Sequence, residues 1–222
     1  MGDITVIIPT IPERTELLQR ALESVQRQTH FPAEIIVVRA DPGEDAPTVK
    51  QRGLMQSRTQ WTAFLDDDDE FAPNHLERLM ETATYYRADL AYPWYELIDA
   101  DGKVIDPQPL LCAYDDPVSG WRSAEGVAWG PVLQEWTMGI GNGNVIICGV
   151  LMRTELAQGV GGFPQRGTAD WPEYPWEELG LWRRMLTAGA VFAHSPARTY
   201  RWHRTHGKNT GGRSDLRRAY YA

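Results

Sequence analysis

Phe64-Leu65-Asp66-Asp67-Asp68-Asp69-Glu70 places five consecutive acidic residues at the end of an apolar run that begins at Trp61. Carboxylates this close repel one another. A short buried strand that ends in them loses stability unless a hard divalent cation, a helix N-terminus or bulk water relieves the charge. A solvated acidic turn has the same composition, but the apolar residues before the run and Pro73 after it describe a strand end, a turn and a helix start. An EF-hand loop puts Asp66, Asp68, Glu70 and Glu77 on its first, third, fifth and twelfth positions. Its sixth position requires glycine and holds Phe71, and Pro73 interrupts it. The better reading is a metal site at a strand end.

Working outward, Ile4 to Ile8 is a fully buried strand stopped by Pro9, and Leu17 to Gln28 is an amphipathic helix with apolar residues at 17, 18, 21, 22 and 25. Glu34 to Val38 is a second buried strand, and the polar loop Asp41 to Ala46 follows it. Thr48 to Arg58 is a second helix, Trp61 to Leu65 the third strand and Pro73 to Arg87 the third helix. Strands alternating with helices make a Rossmann-like half, whose ligands gather outside the carboxyl ends of the strands. The acidic run lies at one of those ends. The glycine-rich dinucleotide fingerprint is absent after the first strand, where Pro9-Thr10-Ile11-Pro12 stands, so a nucleotide is held differently from NAD.

At 222 residues, 42% hydrophobic and 23% charged, the chain suits one domain with one substantial core. A net charge of −8 disfavours a general nucleic-acid or anionic-membrane binder, although a local basic patch is compatible with it. Cys112 and Cys148 are too few and too isolated for a disulfide framework or a zinc site. No segment is long and apolar enough to span a membrane, and an acidic residue, Asp3, precedes any basic one. These features predict a soluble cytoplasmic protein. Several of the nine tryptophans lie among Gly and Pro between Trp94 and Trp182, where they either stack on a sugar or base or serve the core.

The chain resembles the GT-A glycosyltransferases, particularly the inverting family-2 type. The resemblance rests on Val6-Ile7-Ile8-Pro9-Thr10, on Ala21-Leu22-Glu23-Ser24-Val25 followed by Gln28-Thr29, and on Gly53 thirteen residues before Asp66. It rests also on Phe64 to Asp69 with Pro73 seven residues after Asp66, which is similar to that family's DxD motif in its usual setting. It implies a single-domain α/β GT-A fold over residues 1–222 with a mixed central sheet flanked by helices. Residues 1–100 are then the nucleotide-sugar half, 101–200 the acceptor and catalytic half, and 201–222 a basic loop and tail. Two departures stand out. Arg39-Ala40-Asp41-Pro42 replaces the usual Asp-Asp-Gly-Ser, leaving Asp41 as a displaced base contact, and Lys50-Gln51 replaces the frequent Arg-Asn pair. Lys50 and Arg52 either reach a phosphate or line a surface helix face.

In the second half, Val150-Leu151-Met152-Arg153 and Gly161-Gly162-Phe163 resemble the elements that precede the family's catalytic acid, and Trp176-Glu177-Glu178-Leu179 resembles its Glu-Asp helix start. Displacement at an anomeric carbon needs a general base within hydrogen-bond reach of the acceptor hydroxyl. The resemblance makes Glu178 that base and gives Glu177 an acceptor-orienting role. Two glutamates at a helix start also serve the helix dipole. Tyr200-Arg201-Trp202-His203-Arg204-Thr205-His206 resembles the closing segment, in which His203, or His206, completes a metal shell. Arg201 and Arg204, with Lys208 and Arg213, are a clamp for the diphosphate leaving group.

The implied reaction uses Mn²⁺ or Mg²⁺ on Asp66 and Asp68, with Asp67, Pro9 and Thr10 at the nucleotide-sugar donor, and inverts configuration at the transferred sugar. The segment Trp121 to Asn144 either borders the sugar and acceptor pocket or forms a hairpin and turn. A metal-dependent nucleotidyltransferase and a catalytically silent sugar-binding module are the alternatives. Acceptors left open are a glycan, a small molecule, a protein and modified nucleic acid, the last because of the basic residues between Arg198 and Arg218.

Overall fold

A computed structural model of the chain describes residues 3–105, 128–129, 149–168 and 177–203. The segment Trp121 to Asn144 (apart from residues 128–129), both cysteines, Arg204 and His206 lie outside the described residues.

The first strand, β1 (Ile4–Thr10), is buried on both faces, which explains its unbroken apolar run. Ile4, Val6 and Ile8 join one core and Ile7 the opposite one, as a period of two requires. β1 pairs in parallel with β2 (Glu34–Arg39) on one side and with β3 (Trp61–Phe64) on the other. Beyond β3 the sheet becomes mixed. β8 (Leu151–Arg153) runs antiparallel to both β3 and β5 (Leu90–Ile98), and β9 (Phe192–His203) is parallel to β5. β4 (Glu70–Phe71) closes the order β2-β1-β3-β8-β5-β9-β4, with β6 (Val104–Ile105) on β5 and β7 (Ala128–Trp129) on β9. The expected α/β architecture, a mixed sheet between helices, is what the chain adopts.

Leu18, Ala21 and Val25 of α1 (Thr15–Gln26) and Leu76, Leu79 and Ala83 of α3 (His75–Tyr86) pack with Ile4, Val6 and Ile8. The other face takes Val49 and Leu54 of α2 (Ala46–Gln56), Ala157 of α4 (Thr154–Gly159) and Leu181, Trp182 and Met185 of α5 (Glu177–Thr187). Gly53 lets α2 come this close to β1. A Cβ there would lie 2.5 Å from Ile7 Cγ2 and 3.0 Å from Val38 Cγ2. No described helix is long and apolar enough to cross a membrane.

Three local expectations change. Pro9 does not stop β1, which continues to Thr10. The ladder to β3 has already ended at Ile7↔Phe64, so beyond it only β2 is paired and the missing proline N–H is tolerated. The first helix begins earlier, at Thr15, after a 3₁₀ turn over Pro12–Arg14 that the fixed proline φ favours. Glu70–Phe71, read as part of a turn, pairs with β9 through Glu70↔Arg201 and Phe71↔Tyr200.

Behind that pairing, His75 is fully buried. It stacks on Phe71 at 3.9 Å, and Nδ1 lies 2.9 Å from the Thr199 hydroxyl. Burial pushes its pKa down from 6.5 to about 3. The folded state therefore excludes a proton that the unfolded chain accepts, so this contribution is complete above pH 6.5 and is lost as pH falls toward 3. The carboxylates of Asp68 and Asp69, whose pKa values are raised, act with the opposite sign, so a variant comparison isolates the histidine. Between pH 7 and pH 4.5, urea unfolding should show His75→Gln losing about 2 kcal/mol less stability than the wild type.

Candidate active site

The acidic turn follows directly from β3. Leu65 N–H donates to Ile7 O at 3.0 Å, continuing the ladder, and Asp69 N–H donates to Asp66 O at 3.1 Å, closing the turn. Each carboxylate meets a different element.

Asp67 is 3% exposed and accepts from the Thr10 hydroxyl at 2.6 Å and from Arg14 Nη1 at 2.7 Å. Arg14 also reaches Asp68 Oδ2 at 3.3 Å, and Arg20 Nη2 donates to Asp68 O at 2.6 Å. Asp69, also 3% exposed, accepts from the Tyr200 hydroxyl at 2.5 Å and from His203 N–H at 2.8 Å. Glu70 Oε1 lies 2.8 Å from His203 Nε2 and 3.5 Å from Arg20 Nε.

Electrostatics separate these groups. Burial first, and then repulsion from Asp66, pushes Asp68 up to about 6. Asp69 is raised for the same two reasons. Glu70 is held below its ordinary value, first by its hydrogen bond to His203.

Lys50 joins the strand end to the second half of the chain. On α2 and only 5% exposed, its Nζ stands 2.5 Å from Glu178 Oε1 and 3.5 Å from Asp66 Oδ1. Glu178 lies in the first turn of α5, which Glu177 begins. The turn before α5 is held from the same helix. Gln51 Oε1 accepts from Phe163 N–H at 2.8 Å, and Gln51 Nε2 donates to Gly161 O at 3.3 Å. Gly162 sits at φ +66°, and any side chain there would run into the Gln51 amide.

The acidic turn thus brings two sets together: Thr10 meets Asp67, which shares Arg14 with Asp68, and Lys50 joins Asp66 to Glu178, with Pro9 next to Thr10 at the end of β1. His203 reaches the same turn through Asp69 and Glu70. Asp41 is set apart in the loop after β2, its side chain 83% exposed and 3.3 Å from Arg52. Arg201 pairs with Glu96 at 3.4 Å.

Among the described residues no group of three His, Cys, Asp or Glu side chains is placed to hold a metal. Asp66 and Asp68, one third and 13% exposed at their side chains, offer two carboxylates whose mutual repulsion a divalent cation would offset. That chemistry fits a hard cation completed by ligand oxygens rather than a closed protein cage.

Sequence reasoning missed Arg14, Arg20 and Tyr200 as partners of the acidic run. Arg14 had one available signal, a basic side chain just past the end of β1, on the same sheet edge as the acidic run.

Residues 48–125 match the model of the family described as glycosyl transferase family 2. The chain is similar to a GalNAc(5)-diNAcBac-PP-undecaprenol beta-1,3-glucosyltransferase of Campylobacter jejuni, 30% identical over 109 residues, covering 37% of this chain and 35% of that protein. It is similar also to the uncharacterized glycosyltransferase YwdF of Bacillus subtilis, 30% identical over 112 residues, covering 39% of this chain and 41% of that protein. The matches therefore take in well under half of either relative's length. Among solved structures, TarS 1-349 of S. aureus in complex with UDP-GlcNAc superimposes with a TM-score of 0.62 at 16% identity, over 95% of this chain and 60% of that one. The crystal structure of S. aureus TarS has a TM-score of 0.59 at 16% identity, over 91% and 37%. These two likenesses are of fold.

The Tyr200–Asp69 contact is open to a direct check. Tyr200→Phe removes a donor from a buried carboxylate and should cost about 1–3 kcal/mol of stability in urea unfolding. The loss should shrink when Asp69→Asn is combined with it, because the two groups share one interaction.

Proposed function

From the premise that this chain is a family-2 glycosyltransferase domain of the GT-A type, we propose that it moves a sugar from a nucleoside-diphosphate sugar to an acceptor hydroxyl with inversion at the anomeric carbon. One observation carries the reading. The carboxylate proposed as base, Glu178, lies across a single ammonium from Asp66, the first residue of the acidic strand end, although the two are far apart in sequence.

On this reading Glu178 accepts the proton of the incoming hydroxyl as that oxygen attacks, and the bond from sugar to diphosphate breaks on the opposite face. Asp66 and Asp68 would hold Mn²⁺ or Mg²⁺, which supplies charge neutralisation at the departing diphosphate when bound. Thr10 and Arg14 hold Asp67 in place behind that pair, so the turn retains its shape when charge changes in front of it. Glu177 opens the same helix turn and is proposed to orient the acceptor. Arg201 and Arg204 are proposed at the diphosphate and Asp41 at the base. His203 is proposed as the metal shell's third protein member, exchanging its Glu70 contact, with His206 in reserve. The acceptor is a glycan, a small molecule or modified nucleic acid.

Incubation with UDP- and GDP-sugars in manganese should release nucleoside diphosphate, whereas pyrophosphate release from a nucleoside triphosphate supplied with a sugar phosphate would identify a nucleotidyltransferase. Glu178→Gln should lower turnover about 10²–10⁴-fold. Unchanged turnover in that variant would remove Glu178 from the base role, and a wild-type protein that neither turns over nor is thermally stabilised by any donor would end the transferase reading.

A further inference from the structure

We propose that Lys50 is a positioning residue that sets the carboxylate of Glu178 against the acidic strand end. The proposal rests on the transferase reading and assigns Lys50 a task other than contact with a donor phosphate.

Three observations converge on it. The Lys50 side chain is 5% exposed and Glu178 16%, so neither charge is solvated as on an open surface. An ammonium this buried is tolerated only when paired, and here it lies 2.5 Å from Glu178 and 3.5 Å from Asp66. The helix that carries it cannot retreat, because Gly53 seats α2 on Ile7 and Gln51 holds the Gly161–Phe163 turn. Lys50 is therefore a fixed point, and Glu178 sits on the opening turn of a helix whose Arg184 donates to Gly162 O at 2.8 Å, in the turn that the neighbouring Gln51 holds. Holding one carboxylate oxygen fixes the plane and reach of the group without removing a carboxylate's capacity to accept a proton from a hydroxyl. Glutamate has more rotamers than aspartate, so a base of this length gains more from an anchor of this kind.

Loss of the anchor should therefore show in the chemical step and not in donor binding. It should also show in stability, where the pair can be tested without any substrate. The full chain is compared as wild type, Lys50→Met, Glu178→Gln and the double variant. In thermal unfolding, Lys50→Met should lower Tm by about 3–8 °C, and adding Glu178→Gln should return at least half of that loss, because the stranded carboxylate is removed. Losses that simply add would overturn the clasp.

For activity, UDP-glucose, UDP-GlcNAc and GDP-mannose are each supplied with MnCl₂. With whichever of them is turned over, Lys50→Met should lower kcat about 10²-fold while donor Kd by calorimetry stays within about threefold. Lys50→Arg should recover a substantial part of kcat, since a guanidinium can also bridge two carboxylates. The double variant should be no slower than Glu178→Gln alone. A donor Kd weakened about tenfold or more with kcat unchanged would make Lys50 a phosphate contact instead. A wild type silent with every donor overturns the transferase reading and this one with it, whereas an active wild type with additive variants overturns this one alone.

Discussion

The constraint on which the structure turns is the repulsion among carboxylates held at the end of a buried strand. Asp66 to Glu70 cannot spread into water, because Phe64 and Leu65 anchor the turn in the core and Phe71, 2% exposed, re-enters it five residues after Asp66. Two of the five carboxylates, Asp67 and Asp69, are driven inward with it. Each needs donors in fixed places. Thr10 and Arg14 serve Asp67 from the end of β1, and Tyr200 and His203 serve Asp69 from the end of β9. The turn thus ties the first strand of the sheet to the last.

That tie explains β4. A two-residue strand gains little from its own ladder, and Glu70–Phe71 is held because Tyr200 bonds Asp69 one residue upstream while Phe71 stacks on His75. With Asp67 and Asp69 turned inward, Asp66 keeps one third of its side chain exposed, and Asp68 and Glu70 keep 13% and 14%. The alternation follows from the turn itself, which sends neighbouring side chains to opposite sides. Burial therefore divides the run of five acidic residues into two inward carboxylates and three that keep some exposed surface, a division that composition alone does not give.

What was legible in the sequence is what depends on neighbours in sequence. The buried apolar run Ile4 to Ile8, the apolar spacing of Leu18, Ala21, Leu22 and Val25, and the run ending at Asp66 place the strands and helices of the first half within a few residues of where they lie. Boundaries that hinge on a partner strand, such as the continuation of β1 through Pro9, were not legible, because tolerance of a missing N–H depends on where the β3 ladder stops. The same limit applies to the site. Arg14 is separated from Asp67 by 53 positions, Tyr200 from Asp69 by 131 and Lys50 from Glu178 by 128, and no local pattern encodes those pairs. The resemblance to a known family singled out Glu178 and Lys50 separately, and the packing of α2 and α5 on one face of the sheet brings them together.

The four consecutive residues Lys50, Gln51, Arg52 and Gly53 show how that meeting is made. In a helix successive side chains are turned by about 100°, so four in a row face nearly every direction around the axis. Lys50 faces Asp66 and Glu178, Gln51 the Gly161–Phe163 turn, Arg52 the loop residues Asp41 and Glu44 and the Arg39 carbonyl, and Gly53 the side chains of Ile7 and Val38. A rotation of α2 that improved one contact would break the other three. Helix α2 is consequently fixed about its own axis as well as in position, and the parts it touches are the end of β2, the face of β1, the acidic turn and the approach to α5. On the proposed reading, those are the elements whose relative placement decides whether a base on α5 can stand opposite a donor held at the end of β3. Lys50 turns a cation toward the carboxylates and Gln51 an amide toward the turn, so both residues that depart from the Arg-Asn pattern take part in fixing α2.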